Sequence, residues 1–259
     1  MNYTYSLLRT IWILLVGNIV FPLAIYSQEN KPGMTHIFIT YRCKPADRPA
    51  MITGMEKEGV KKFEEYKRDG IIADYLLVYN AHCDENTWDM SAVIQFDTYE
   101  QTDRWRKLER TNPGGLTSDL LKTITPATTY FADRKWFQGK RGNQSDAIYV
   151  MIPYQWVDRG SYTAYIATYG IPQFDGWLKE GVLNSYGIFL NHHATGAPWD
   201  AYLLFEYKDA SALGNREQVK QKVRAALKSD TAWNLIQSSK QTYRTEHEVV
   251  MAKSFTTTK

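Results

Sequence analysis

Two stretches of the chain place asparagine, histidine, tryptophan and aspartate in the same order, 111 residues apart (191 minus 80). The first stretch contains Asn80, His82, Trp88 and Asp89, and the second contains Asn191, His193, Trp199 and Asp200. Histidine titrates near neutral pH, so two such residues at one opening could bind a ligand or transfer protons. Asparagine and aspartate also bind nearby backbone groups in turns, which is the structural alternative for both motifs.

Glu206 is the sharpest single candidate for acid–base chemistry. It ends the apolar run AYLLFEY, residues 201–207, which reads as a buried strand. A carboxyl group in largely apolar surroundings can serve as a general acid or base. The repeat mate of Glu206 is Gln95, which does not titrate, so such chemistry would belong to the second stretch. The alternative is a glutamate at a strand end, in contact with water.

The histidines and cysteines show no metal-binding spacing. His192 and His193 are adjacent, so on a strand their side chains point to opposite faces. The sequence contains no H-x-x-x-H or C-x-x-C motif, and we expect no zinc site. The two cysteines, Cys43 and Cys83, could pair in an oxidising compartment, but the predicted sheet separates their strand ends by about 10 Å.

The offset of 111 extends well beyond the two motifs. Without a gap it aligns residues 36–97 with residues 147–208. The matched pairs include Ile37 with Ile148, Gly59 with Gly170, Phe63 with Phe174, and Tyr75 with Tyr186. A constant offset over this span indicates a duplicated unit, because two copies are too few for a solenoid.

Each copy has the pattern of a strand, a helix, two strands, a second helix and a fourth strand. Apolar residues at spacings of three and four predict the first helix at about 48–68. In the second copy, Pro172 should kink or break the equivalent helix. The segment 134–145 shows no period and reads as a linker between units at 34–133 and 146–255.

This pattern resembles the ferredoxin-like fold, and its duplication resembles the dimeric α/β-barrel superfamily. That superfamily includes NIPSNAP-type proteins, antibiotic-biosynthesis monooxygenases, muconolactone isomerases, chlorite dismutases and dye-decolourising peroxidases. The resemblance covers residues 35–251 and implies an α+β fold of two tandem βαββαβ repeats, whose antiparallel sheets pack as an intrachain α/β barrel. The strands barely alternate apolar with polar residues, which independently indicates that both faces of each sheet are buried.

Strand alternation predicts which side chains face the enclosed space. Ile37, Ile39 and Tyr41 would face the helices, and the residues between them would face inward. The predicted ligand-binding residues are His36, Arg42, Gln95, Tyr149, Tyr202 and His82, and the predicted catalytic residues are Glu206 and His193. An internal hydrogen-bond network is the alternative role for the inward polar groups.

A row of aromatic residues on the second copy's first helix has the spacing of one helical face. It consists of Tyr162, Tyr165, Tyr169 and Trp177. Such a row forms either core or the wall of a pocket for an aromatic ligand.

Four functions stay open, because fold does not choose among them. The first is binding of a small, aromatic or apolar organic molecule in the barrel, without a cofactor. The second is a cofactor-independent isomerase or monooxygenase-like enzyme that uses Glu206 or a histidine. The third is a haem protein of the chlorite-dismutase type with His193 or His247 as the axial ligand. The fourth is an interaction protein whose barrel is filled, and a homodimer stays open for each.

The net charge bears on the protein's partners, and the N-terminal segment bears on its location. A net charge of +3 in 259 residues does not predict nucleic-acid binding, which needs a concentrated basic face. Residues 1–27 carry only Arg9 before an apolar run that ends at Ser27, as in a secretory signal. We therefore expect an extracytoplasmic protein, periplasmic or secreted, with no membrane span after cleavage. An uncleaved anchor is the alternative, although the run is somewhat shorter than the roughly 20 residues of a span.

Overall fold

A computed structural model describes residues 33–255 of the chain. The first half consists of β1 (Thr35–Arg42), α1 (Arg48–Gly54), a π-helical segment (Met55–Gly59), α2 (Val60–Arg68), β2 (Asp74–Asn80), β3 (Met90–Phe96), α3 (Tyr99–Glu109) and β4 (Thr125–Gly139). The second half consists of β5 (Ile148–Trp156), α4 (Arg159–Tyr165), a π-helical segment (Ile166–Gly170), α5 (Ile171–Lys179), β6 (Leu183–Asn191), β7 (Ala201–Tyr207), α6 (Ala210–Gly214), α7 (Arg216–Leu227), α8 (Thr231–Ser239), β8 (Arg244–Glu246) and β9 (Val250–Ser254). The predicted signal segment, 1–27, lies outside the described residues. Between residues 33 and 255, no helix has the length and apolar character needed to cross a membrane.

Eight strands close into one antiparallel barrel in the order β7-β6-β4-β1-β3-β2-β9-β5, and β5 pairs with β7 to complete the ring. The last strand of each half, β4 or β9, pairs with the first strand of its own half and with the second strand of the other half. Ala132 of β4 thus lies between His36 and Asn191, and Ala252 of β9 lies between Tyr149 and Asn80. This exchange joins the halves and confirms the predicted antiparallel barrel within one chain.

The pleat of the strands separates an inner from an outer core. The inner core includes Phe38, Leu76, Val78, Val93, Met151, Phe189, Trp199, Tyr202 and Leu204. The outer cores pack against the helices, and the first of them contains Ile37, Ile39, Tyr41, Phe63, Met90, Ala92 and Trp105. The predicted facing of β1 and β3 is therefore confirmed. The ring of Phe38 lies 5.0 Å from those of Phe189 and Tyr202, so aromatic side chains occupy the middle of the barrel.

The gap-free alignment of the two copies is wrong in the first strand. Thr35 of β1 lies opposite Phe96, whereas Ile148 of β5 lies opposite Tyr207. Since Tyr207 matches Phe96, Ile148 matches Thr35 rather than Ile37, and the offset there is 113 (148 minus 35). The chain from Thr35 to Arg48 is thus two residues longer than the equivalent chain from Ile148 to Arg159 (48 minus 35 against 159 minus 148). An even shift preserves facing, because side chains alternate with a period of two.

Both first helices contain a π-helical segment at the same place, Met55–Gly59 and Ile166–Gly170. Pro172 was expected to kink or break the second helix. It is the second residue of α5, directly after the π-helical segment, and the helical conformation continues through Gly170 and Ile171. The first helix has the same segment with no proline after it, so the proline is not its cause. Segments of this kind are frequent beside functional sites.

Residues 134–139, predicted as linker, continue β4 and pair with β6 as far as Gly139 opposite Ser185. The prediction failed because the two charged residues Arg134 and Lys135 do not have the pattern of a buried strand. The next residue, Trp136, is nevertheless buried in the outer core. Gly139 ends the strand at φ +89°, and a Cβ there would lie 2.1 Å from Asn184 O. The connection between the halves is therefore limited to residues 140–147.

Candidate functional site

The repeated asparagines hold the hairpin turns together. Asn80 Nδ2 donates to Thr87 Oγ1 at 2.8 Å, and Asn80 Oδ1 accepts from His82 N at 2.9 Å. In the second half, Asn191 Nδ2 donates to Trp199 O at 3.0 Å, and Asn191 Oδ1 accepts from the N–H of the histidine two residues later. Each histidine contributes its backbone N–H to this motif, and its side chain is exposed.

The repeated aspartates tie each hairpin to the end of the first strand. Asp89 Oδ2 accepts from Cys43 N at 2.9 Å, and Asp200 Oδ2 accepts from Trp156 N at 2.9 Å. Asp89 also forms a 3.1 Å ion pair with Arg48. The structural alternative therefore accounts for both copies of the motif.

Four of the residues predicted to face inward meet at one end of the barrel. His36, Gln95, Tyr149 and Glu206 line a cavity of about 40 Å³, together with Arg134, Arg141 and Ser185. A water molecule needs roughly 10–15 Å³, whereas pockets for organic ligands measure about 300–1,000 Å³. This cavity therefore admits water and excludes an organic ligand, which corrects the expected ligand site inside the barrel.

Glu206 holds the segment that connects the two halves, residues 140–147, against the barrel wall by a hydrogen bond. Its side chain is buried, which rules out the predicted alternative of a strand-end glutamate in water. Its carboxylate accepts hydrogen bonds from Gly142 N at 2.6 Å, Asn184 Nδ2 at 3.2 Å and Ser185 Oγ at 2.9 Å. These donors occupy both carboxylate oxygens.

Two buried polar atoms on the wall of the 40 Å³ cavity, His36 Nδ1 and Tyr149 Oη, have no hydrogen-bond partner. Burial, and then the charge of Arg134, lower the pKa of His36 to about 3, so its imidazole is neutral at physiological pH. Burial, and then the charge of Glu206, raise the pKa of Tyr149 well above its usual value, so the phenol keeps its proton. Both side chains are uncharged, which suits a cavity that holds water.

The other predicted site residues lie elsewhere. Arg42 is half-buried and its guanidinium donates to Asp84 O at 3.4 Å. Tyr202 packs in the inner core, 5.2 Å from the ring of Trp199. His82 and His193 are exposed on the hairpin loops. Neither of the cysteines is in a disulfide.

A second, larger cavity lies outside the barrel, between the outer face of the second half's sheet and the helices. Its volume is about 470 Å³, within the range of small-molecule pockets. Its floor comes from β5 and β7, and its roof from the residues around the π-helical segment. The apolar and aromatic walls are Val150, Ile152, Tyr165, Ile166, Tyr169, Phe174, Trp177, Leu203 and Phe205. Of the predicted aromatic row, Tyr162 is core and the other three line this cavity.

The equivalent space in the first half is filled by residues 112–124. Leu116, Leu120 and Ile124 from this segment are buried against the helices and the sheet. Tyr66 Oη also donates to Gly115 O of the segment at 3.2 Å. Trp177, 111 residues after Tyr66, lines the larger cavity, and its buried Nε1 has no partner. Within the described residues, the second half therefore has ligand-sized space where the first half has side chains.

The donors around the larger cavity do not fit a histidine-ligated haem. No histidine is among the residues of its wall. His193 is exposed on a hairpin loop, and His247, with a buried and unpartnered Nε2, does not line the cavity. Within residues 33–255, no group of three histidine, cysteine or acidic side chains is arranged to hold a metal ion. We therefore assign no haem chemistry to this cavity.

Sequence comparisons yield no relative, whereas solved structures share the fold. No protein-family model matches the chain, and no curated protein matches it. An anthrone oxidase-like protein matches with a TM-score of 0.55 at 10% identity, over 88% of this chain and 93% of that one. A proposed monooxygenase from Lactobacillus acidophilus NCFM matches with a TM-score of 0.52 at 12% identity, over 86% and 94%. A chlorite dismutase mutant from Candidatus Nitrospira defluvii matches with a TM-score of 0.50 at 14% identity, over 86% and 91%.

Identities this low show a shared fold and carry no activity to this chain. The predicted resemblance in fold is confirmed for a protein described as a monooxygenase and for a chlorite dismutase. A NIPSNAP-type relationship stays a prediction.

Proposed function

We propose that the protein binds a small organic molecule with an aromatic or apolar body in the 470 Å³ cavity of the second half. One observation carries the proposal: this half keeps an aromatic-walled cavity of ligand size where residues 112–124 fill the first half. Apolar area removed from water contributes roughly 25 cal/mol per Å². A ligand that buries about 250 Å² would gain roughly 6 kcal/mol before the costs of association.

The aromatic wall is fixed before a ligand arrives. The ring of Tyr169 stacks on Tyr165 at 5.5 Å and on Trp233 at 5.1 Å. Trp233 Nε1 and Gln173 Nε2 both donate to Tyr169 O, at 3.1 and 2.9 Å. Side chains held in this way lose little further freedom on binding, and pre-organisation of this kind favours affinity.

We do not propose a reaction at Glu206. The cavity beside it measures about 40 Å³, and three donors already bind its carboxylate. An organic substrate would have to open the barrel to reach it. Binding in the larger cavity needs no such change.

We also propose that the chain consists of two ferredoxin-like units in tandem. The strand order last-first-third-second in each half and the matched π-helical segments support this. We also propose that the protein is exported to the periplasm or secreted, because residues 1–27 resemble a secretory signal. N-terminal sequencing of the exported protein should then begin at Gln28.

The binding proposal is tested by titration with N-phenyl-1-naphthylamine, a neutral aromatic dye whose emission rises in apolar surroundings. We expect saturable binding at one site. Leu203→Trp, which fills the cavity floor, should weaken binding at least about tenfold, whereas Leu235→Trp on the exposed face of α8 should not. Circular dichroism checks that each variant is folded. Absence of saturable binding, or binding unchanged in a folded Leu203→Trp, would refute the proposal.

A further inference from the structure

We infer that the 470 Å³ cavity selects organic anions, whose aromatic or apolar body lies against the wall and whose carboxylate or sulfonate group is bound at the mouth by Arg224 and Lys240. This inference rests on the proposed function and adds the charge class of the ligand.

Cations outnumber acids around the mouth of the cavity. The charged residues there are Arg216, Lys220, Arg224, Lys240 and Arg244, against Glu217 and Glu246. The acids are already engaged, because Glu217 pairs with Lys220 at 3.0 Å and Glu246 pairs with Arg244 at 3.0 Å. The mouth therefore keeps positive charge that its own carboxylates do not balance.

Arg224 is positioned by neutral groups. Its Nε donates to Gln173 Oε1 at 2.8 Å, and one terminal nitrogen donates to Tyr169 Oη at 3.3 Å. No carboxylate of the described residues lies within ion-pairing distance of its guanidinium. Gln173 is itself buried and fixed by its bond to Tyr169 O. The remaining donors of the planar guanidinium suit a carboxylate or sulfonate.

Lys240 faces the same excess of charge. Burial, and then Arg224, Arg244 and Lys220, lower the pKa of its ammonium. It also has no ion-pair partner among the residues of the described chain. An anion placed between Arg224 and Lys240 would remove this repulsion and form charge-assisted hydrogen bonds.

Tyr169 connects the charged mouth to the aromatic wall. Its hydroxyl contacts Arg224, while its ring stacks on Tyr165 and belongs to the lining of the cavity. Tyr165 and Trp233 cover the two faces of the Tyr169 ring, so a ligand would meet its edge. A substituent of a ligand placed there would lie close to the guanidinium that contacts the Tyr169 hydroxyl. This geometry favours one molecule that carries both an apolar body and an anionic group.

Two dyes with the same rings separate charge selection from apolar binding. 8-Anilinonaphthalene-1-sulfonate is N-phenyl-1-naphthylamine with an added sulfonate. We expect the sulfonate dye to bind at least about tenfold more tightly at low salt. In 0.5 M NaCl, where the Debye length is roughly 4 Å, most of this advantage should disappear.

Variants assign the selection to the two cations. Arg224→Gln and Lys240→Gln should each weaken binding of the sulfonate dye more than binding of the neutral dye, so that the ratio of the two affinities falls towards one. Arg224→Lys should retain part of the sulfonate dye's advantage, because the charge stays. Lys222→Gln is the matched control, since Lys222 is on the same helix, is paired with Glu180 at 2.6 Å and does not line the cavity.

The outcomes separate the inference from the proposed function. If the neutral dye binds and the sulfonate dye binds no more tightly, the inference is overturned and the binding proposal stands. If neither dye binds, the binding proposal itself fails. If Arg224→Gln does not fold, Lys240→Gln and the salt dependence of dye binding to the native protein still test the inference. If the native protein binds both dyes with equal affinity at low salt and in 0.5 M NaCl, the inference is overturned.

Discussion

Tyr66 and Trp177 occupy equivalent positions in the two halves but have opposite surroundings. Tyr66 Oη donates to Gly115 O at 3.2 Å, whereas the buried Nε1 of Trp177 has no partner and the residue lines a cavity. The backbone plan is shared, so the difference comes from what the chain adds after each third strand. In the first half it adds the segment 112–124, and in the second half it adds α7 and α8, which leave a gap.

This difference predicts that a leucine-to-alanine substitution lowers the free energy of unfolding more in the first half than in the second. Leu120→Ala removes a side chain that is packed on all sides, so we expect a loss of about 3–4 kcal/mol in the free energy of unfolding. Leu213→Ala should cost only about 2 kcal/mol, since Leu213 is partly buried and lines the cavity. Urea denaturation of both variants measures the difference. A larger loss for Leu213→Ala than for Leu120→Ala would mean that the second-half cavity is closed in solution.

The barrel was predictable from sequence because the unit is duplicated and its strands are apolar on both faces, and the alternation of side chains then gives the facing of each residue. His36 and Ile37 are neighbours, and the period of two places them in the inner and outer layers as observed. The duplicated motif likewise located both hairpins. Its role in turns follows from the hydrogen-bonding chemistry of Asn80 and Asn191.

The larger cavity was not predictable in the same way, because a void is the absence of side chains and leaves no period. Tyr165, Tyr169 and Trp177 show the same helical spacing whether or not a cavity lies beside them. The available signal was a contrast between copies: NPGGLTSDLL, with three leucines and two glycines, follows α3, while the corresponding second-half segment is charged. The extension of β4 past Arg134 depends on pairing with a distant strand, β6, which no local pattern reports.

His36 should make stability depend on pH. Its pKa is lowered to about 3 in the folded protein, first by burial, whereas the unfolded chain titrates near 6.5. The unfolded state therefore binds the proton first, and stability falls as the pH drops from about 6.5 towards 3. We expect His36→Phe to remove on the order of 4 kcal/mol of this fall. Urea midpoints at pH 4 and pH 7 test this, and parallel pH profiles for both proteins would contradict it.

The two thiols should differ in reactivity. Burial, and then the charge of Asp89, raise the pKa of Cys43 to about 11, whereas Cys83 is exposed. Because the thiolate is the reactive species, a disulfide reagent at pH 8 should modify Cys83 rapidly and Cys43 slowly. Cys83→Ser should remove the fast phase. Two equal phases, or a mass two daltons low before reduction, would show that the thiols are equivalent or paired.

Glu206 should act on the stability of the barrel and not on ligand binding. Glu206→Gln keeps the shape of the side chain but replaces one acceptor oxygen with a donor nitrogen. The new amide nitrogen either faces Gly142 N and Asn184 Nδ2, which can only donate, or faces Ser185 Oγ, which must then turn to accept. In both cases the charge-assisted hydrogen bonds of the carboxylate are lost. We expect a loss of about 2–4 kcal/mol and faster hydrogen exchange in residues 140–147. Glu248→Gln, at an exposed position, is the control for the charge change. The affinity for N-phenyl-1-naphthylamine should stay unchanged in both variants, and a Glu206→Gln protein that is as stable as the native one but fails to bind the dye would assign Glu206 to a ligand site.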